Sequence, residues 1–137
     1  MSERLESIVE GLAIEPGDRV LEIGCGQGVA ATFVCERLDT GRLTAIDRSA
    51  KMIAAASRRN SAYVNAGKAE FLLGSLEQID LGDRRFDKIF AVRVGLFDRE
   101  PERACELAER WLAPGGVLRS FFDPPSGSSQ APPVTGA

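Results

Sequence analysis

The stretch that most constrains this chain is VLEIGCGQG (20–28). Val20, Leu21, Glu22 and Ile23 have strand character and run without a spacer into Gly24, Cys25, Gly26, Gln27 and Gly28. Beyond them Ala30, Phe33, Val34 and Leu38 fall on one face of a helix. A strand that turns directly into a helix is half of a βα unit, which predicts a parallel sheet with right-handed crossovers. Glycine suits the turn because its backbone can need positive φ, and because a side chain there would hold a ligand off the main chain. The N–H groups that open the helix favour an anionic ligand group. The plainer alternative is a tight βα turn that binds nothing.

The rest of the chain repeats the alternation. Ser2 can cap a helix carrying Leu5, Ile8, Val9 and Leu12, and Pro16-Gly17-Asp18 is a turn. Strands are predicted at RVLEI (19–23), RLTAID (42–47), AEFLL (69–73), FDKIFAV (86–92) and VLRSFF (117–122). Ser49 is an N-cap for a helix running to about Asn65, and Pro101 opens one containing Ala104, Leu107, Ala108 and Trp111. LAPGG (112–116) reads as a helix stop. The expected product is an α/β, doubly wound, Rossmann-like parallel sheet over residues 1–123. From Pro124 the composition changes: nine of the last fourteen residues are Pro, Gly or Ser and none is charged, so 124–137 is expected to be a disordered tail.

Composition narrows the chemistry. With 137 residues, 44% hydrophobic and 27% charged, the chain suits one soluble domain. A net charge of −3 argues against coating nucleic acid or an anionic membrane. There is no histidine, which removes Ser-His-Asp and Cys-His catalysis and histidine-ligated metal. Cys25, Cys35 and Cys105 are odd in number and lack CxxC spacing, so neither a disulfide framework nor a zinc site is expected. The opening MSERLESIVEGL has no basic or long apolar segment, and no run approaches the ~20 apolar residues that cross a bilayer. A cytoplasmic protein without metal is expected.

Asp47 ends the second strand, twenty-three residues past Gly24, where an acid can accept hydrogen bonds from both ribose hydroxyls. The alternative is a surface acid beside the Ser49 helix. A glycine turn plus this acid suggests an adenosine-containing cofactor. The turn is GxGxG and not the GxGxxG of dinucleotide sites. Glu22, two residues before the first glycine, would repel a pyrophosphate but welcome an ammonium or sulfonium. Glu22 bonded to nearby backbone N–H groups is the competing explanation. Cys25 has no histidine to activate it and reads as a small residue in a tight loop. Asp83-Arg84-Arg85 and Arg58-Arg59 read as solvated faces.

Taken together, VLEIGCGQG (20–28), LTAID (43–47), FLLGSLEQIDL (71–81), FDKIFAV (86–92) and LAPGG (112–116) resemble, in order and spacing, the class I S-adenosylmethionine-dependent methyltransferases. The resemblance implies strand order 3-2-1-4-5 and S-adenosyl-L-methionine as cofactor. It implies that Gly24, Cys25 and Gly26 lie beneath the methionine part, less closely Gln27 and Gly28, and that Glu22 holds the amino group. Asp47 would bind the ribose, with Arg48 beside it. Ser75 and Leu76 would frame the adenine, serine standing where the family usually has an acid, and the backbone around Val92 would lie near the methionine amine. Met52 is a further adenine contact or, more simply, a core residue. Acceptor candidates are Arg93, Phe97, Asp98 and Arg99 after the fourth strand and Asp123 after the fifth. No catalytic residue is assigned. Asp123-Pro124-Pro125 has the look of an amino-methylation signature displaced from its usual strand, and reads as a strand stop.

The family's sheet usually ends in a helix and two more strands, and the expectation here is a sheet without that C-terminal strand pair. A bare fifth strand would expose an apolar edge. Three outcomes are expected of it: a homodimer through that edge, shielding by the tail, or a place within a longer protein. Methyl transfer to an O, N or C nucleophile on a small molecule is the expected function. The rivals are a cofactor-binding module that needs a partner and, disfavoured by Glu22 and GxGxG, a nicotinamide dehydrogenase.

Overall fold

A computed structural model describes residues 2–122, 129–130 and 134–135. In chain order the elements are α1 (Ser2–Gly11), β1 (Arg19–Ile23), α2 (Val29–Arg37), β2 (Arg42–Asp47), α3 (Ala50–Arg59), α4 (Ser61–Asn65), β3 (Ala69–Leu73), β4 (Phe86–Val92), α5 (Gly95–Arg99), α6 (Pro101–Glu109), β5 (Leu112–Phe122), β6 (Ser129–Gln130) and β7 (Val134–Thr135). The sheet runs β3-β2-β1-β4-β5, all parallel, as the alternation and the resemblance predict.

Both faces of the sheet carry buried apolar side chains because helices cover each of them. On one face Val20, Leu43, Phe90 and Phe121 pack with Val9, Val34 and Leu38 of the α1 and α2 side. On the other, Leu21, Ile89 and Leu118 pack with Phe97, Ala104 and Trp111. Each fully buried Leu, Ile or Phe contributes about 1.5–3 kcal/mol of hydrophobic stabilisation. Alternation along β1 then sets the functional geometry. Val20 and Glu22 share a face, so the last apolar position of that face is occupied by a carboxylate at the C-terminal rim.

Three departures have local causes. The helix expected from Ser49 to about Asn65 breaks at Asn60 (φ −111°, ψ 29°), giving α3 and α4. LAPGG does stop a helix, but it also starts β5. Leu112 pairs with Phe86, and the ladder slips before Lys88 meets Val117, with Gly115 at φ 79° inside the irregularity. Beyond Phe122, β6 and β7 pair antiparallel with the outer edge of β5, Gln130 opposite Phe121 and Val134 opposite Leu118. At those positions the edge is shielded by the chain itself. The remainder of 124–137, expected as a tail, lies outside the described residues.

Candidate functional site

The loop 24–28 separates two hollows at the C-terminal ends of the strands. The first, about 270 Å³, lies between the ends of β1 and β2 on one side and the segments 74–77 and 93–99 on the other. The second, about 220 Å³, lies under the other side of the loop, with Glu22 and Val92 opposite Leu5 of α1. Gly24, Gly26 and Arg93 line both, so they flank a common partition.

The backbone of that partition is tied down by its own protein. Gly24 and Cys25 donate their N–H groups to the Ile46 carbonyl at 2.8 and 3.0 Å, and Gly28 donates to Cys25 at 3.0 Å. Gly26 donates to Asp47 Oδ2 at 2.9 Å. The N–H groups of Gly24, Cys25, Gly26 and Gly28 are therefore engaged within the chain and are not open to a ligand. Gly26 has φ 55°, and a Cβ there would meet nothing within 4 Å, so its bare face opens onto free space. Gly28 has φ 86° for the opposite reason: a Cβ would collide with Asn60 and Ala56.

Asn60 was not singled out by any motif. It is 2% exposed; its amide donates to the Gly28 and Ala56 carbonyls at 3.0 Å, and its Oδ1 accepts from Thr32 Oγ1 at 2.6 Å. It bolts α3 to the first turn of α2. Arg59, expected to be solvated, reaches the same loop by donating to the Gln27 carbonyl at 3.1 Å.

Two carboxylates face the partition and are treated differently. Asp47 accepts from Gly26 N–H through Oδ2 and from Ser49 N–H through Oδ1, both at 2.9 Å. Each oxygen keeps a second lone pair, and the residue lines the first hollow. Glu22 is 3% exposed, and its Oε1 is buried without a hydrogen-bond partner. Burial, and then the nearby charge of Asp47, push its carboxyl up to about 8. The backbone-bonded alternative for Glu22 does not account for that bare oxygen. Burial, with Glu22 and Asp47 adding to it, also pushes the Cys25 thiol far up, which favours the thiol over the thiolate.

Of the other residues implied by the resemblance, Gln27 lines the second hollow and Gly28 lines neither. Arg48, Ser75 and Leu76 border the first, and Cys25 and Val92 the second. Among acceptor candidates, Arg93 and Arg99 line the first hollow. Phe97 is buried in the core, and Asp98 is exposed and lines neither hollow. Met52 also stays out of both. Asp123 and the Asp123-Pro124-Pro125 motif lie outside the described residues. Among the described residues no helix is long and apolar enough to cross a membrane.

A family model described as a methyltransferase domain matches residues 20–116. Malonyl-acyl-carrier-protein O-methyltransferase of Serratia marcescens is 32% identical over 103 residues, covering 75% of this chain and 37% of that protein. Phosphoethanolamine N-methyltransferase 1 of Arabidopsis thaliana is 29% identical over 116 residues, covering 85% of this chain and 23% of that one. A solved SAM-dependent methyltransferase from Thiobacillus denitrificans, in complex with S-adenosyl-L-homocysteine, superposes with a TM-score of 0.73 at 26% identity, covering 88% of this chain and 48% of that structure. The chain spans less than half the length of the curated relatives it matches.

Proposed function

The chain belongs to the methyltransferase-domain family, and from that premise we propose that it binds S-adenosylmethionine across the 24–28 loop and transfers a methyl group to an O, N or C nucleophile on a small molecule. The observation that carries this reading is Glu22 Oε1, buried and unbonded beside the loop. A buried carboxylate oxygen without a partner is costly and asks for a cation or donor from outside the chain. The open face of Gly26 supports the same reading, since any side chain there would enter the space a ligand needs.

S-adenosylmethionine supplies, when bound, an electrophilic methyl carbon on a sulfonium. The chain's own residues supply position. Glu22 accepts from the ammonium, and Asp47 turns its remaining lone pairs to the ribose hydroxyls while bracing Gly26. Ser75 and Leu76 border the nucleoside end, where the serine hydroxyl can accept the one hydrogen bond left by the missing acid. Arg48 flanks Asp47, and the backbone at Val92 flanks the amine. No described carboxylate in the first hollow is a candidate base apart from Asp47, already bonded at both oxygens, and exposed Glu77. Catalysis then rests chiefly on alignment of acceptor and methyl carbon.

Calorimetry with S-adenosylhomocysteine, S-adenosylmethionine and NAD tests the cofactor. The first two should bind and NAD should not; tighter binding of NAD, or no binding of the nucleosides, overturns the reading. Radiolabelled methyl transfer to metabolite fractions then separates an enzyme from a binding module.

A further inference from the structure

We propose that the methyl acceptor is a small molecule bearing an oxyanion, a carboxylate or phosphate, and that Arg99 selects it. This rests on the reading of the loop as an S-adenosylmethionine site. The chain is acidic, with 20 Asp and Glu against 17 Lys and Arg, so its arginines have acids to choose from. Most use them or a carbonyl. Arg19 pairs with Asp87, Arg42 and Arg84 with Glu70, and Arg103 with Glu100, while Arg37 and Arg59 donate to carbonyls. Arg99, like Arg48 beside Asp47, lines the first hollow and makes neither kind of bond among the described residues. Its neighbour Glu100 turns to Arg103 instead.

The guanidinium is also placed. It folds back over Gly95, where a Cβ would overlap Arg99 Nη1. Gly95 does not have positive φ, so the backbone does not require glycine there. What the missing side chain provides is room for the guanidinium beside the cleft. Such a planar fork matches two oxygens of a carboxylate or phosphate.

The cofactor is not the natural partner of this group. Its sulfonium and ammonium are cationic, and its one carboxylate sits on the same carbon as the ammonium, so the end that meets Glu22 in the second hollow carries that carboxylate with it. Arg99 lines only the first hollow and takes no part in the second, where Glu22 waits. Arg93 stands between the two at φ 57°, a strained conformation for a residue with a side chain.

The test uses protein saturated with S-adenosylhomocysteine and matched probes: benzoate against benzamide, and phenyl phosphate against phenol, followed by ligand-observed NMR. At least one anion should bind about fivefold or more tightly than its neutral partner. In Arg99→Gln the preference should shrink below about twofold, Arg99→Lys should keep part of it, and the homocysteine nucleoside should bind as in the parent. The pair that responds separates carboxylate from phosphate. A preference that survives Arg99→Gln, or no preference in the parent, overturns the proposal. So does a loss of nucleoside affinity in Arg99→Gln, which would make Arg99 a cofactor ligand. Failure of the parent to bind the nucleoside at all overturns instead the cofactor reading beneath it.

Discussion

The two ends of the sheet are built from the same charged residue types and treat them in opposite ways. At the N-terminal end Arg19 meets Asp87 at 3.1 Å, Lys88 meets Asp18 at 2.7 Å, and Arg42 and Arg84 share Glu70 at 3.5 and 3.1 Å. At the C-terminal end Glu22 keeps a bare buried oxygen, and Arg99 faces the cleft with no acid. The hollow at the N-terminal end is the larger, about 430 Å³ against about 270 Å³. Size therefore does not mark the site; unanswered charge does. A domain whose net stability is about 5–15 kcal/mol does not keep a buried carboxyl group with an unbonded oxygen without cause. The end with satisfied charges serves the fold, and the end with unsatisfied charges is arranged for a ligand.

The largest way to break that contrast is Asp47→Ala. It removes the acceptor for ribose and frees the Gly26 N–H that the carboxylate now braces at 2.9 Å. Affinity for S-adenosylhomocysteine should fall by about 1.5–3 kcal/mol, read by calorimetry. Unchanged affinity would remove Asp47 from the ligand and leave it a purely structural brace.

Glu22→Gln sharpens the contrast through pH. The Glu22 carboxyl, pushed from 4.5 up to about 8, is neutral in the ligand-free protein at pH 6. A raised folded-state value means the stability it contributes is complete below the ordinary 4.5 and lost as pH climbs through about 8. Without ligand, the melting temperature should fall over that window, and Glu22→Gln should flatten the fall. Binding of a cationic amine runs the other way, because it favours the ionised carboxylate. Affinity for the homocysteine nucleoside should rise about fivefold or more from pH 6 to pH 8 in the parent and stay level in Glu22→Gln. Parallel profiles in the two proteins would show that Glu22 does not meet the amine.

How much of this was legible in the sequence follows from the range of each signal. β1 to β4 fall at the predicted bounds because short, mostly apolar segments rich in Val, Ile, Leu and Phe are set off by turns and helices. The partition itself was legible because strand, glycines and helix are contiguous. Asn60 and Arg59 were not. Their partners Thr32, Gly28 and Gln27 lie 28 to 32 residues away, and nothing local to a helical serine-arginine-arginine-asparagine run points across to another helix. The engagement of the Gly24, Cys25 and Gly26 N–H groups was hidden for a related reason. Whether an N–H is available depends on what faces it, and Asp47 and the Ile46 carbonyl reach it only once β2 lies beside β1. LAPGG looked like a stop alone because proline and two glycines argue against a ladder, yet a β-bulge accommodates them at the start of a strand that, among the described residues, has a partner on one side only there.

The smallest expected effect comes from the satisfied end. Arg42 is half-exposed; it pairs with Glu70 at 3.5 Å and donates to the Gly67 carbonyl at 3.1 Å. In Arg42→Ala, Glu70 still has Arg84 at 3.1 Å, so no charge is left buried and alone. The loss in unfolding free energy should stay below about 1 kcal/mol, because solvent screens such pairs and holding long side chains in place offsets their attraction. Affinity for S-adenosylhomocysteine should not move, since Arg42 lines only the opposite hollow and the β2 strand between it and Asp47 is fixed by ladders on both sides. Denaturant unfolding and calorimetry on the same preparation give both numbers. A severalfold drop in nucleoside affinity with little change in stability would mean that the paired charges at one end hold the geometry at the other, and the division of labour between the ends of the sheet would have to be abandoned.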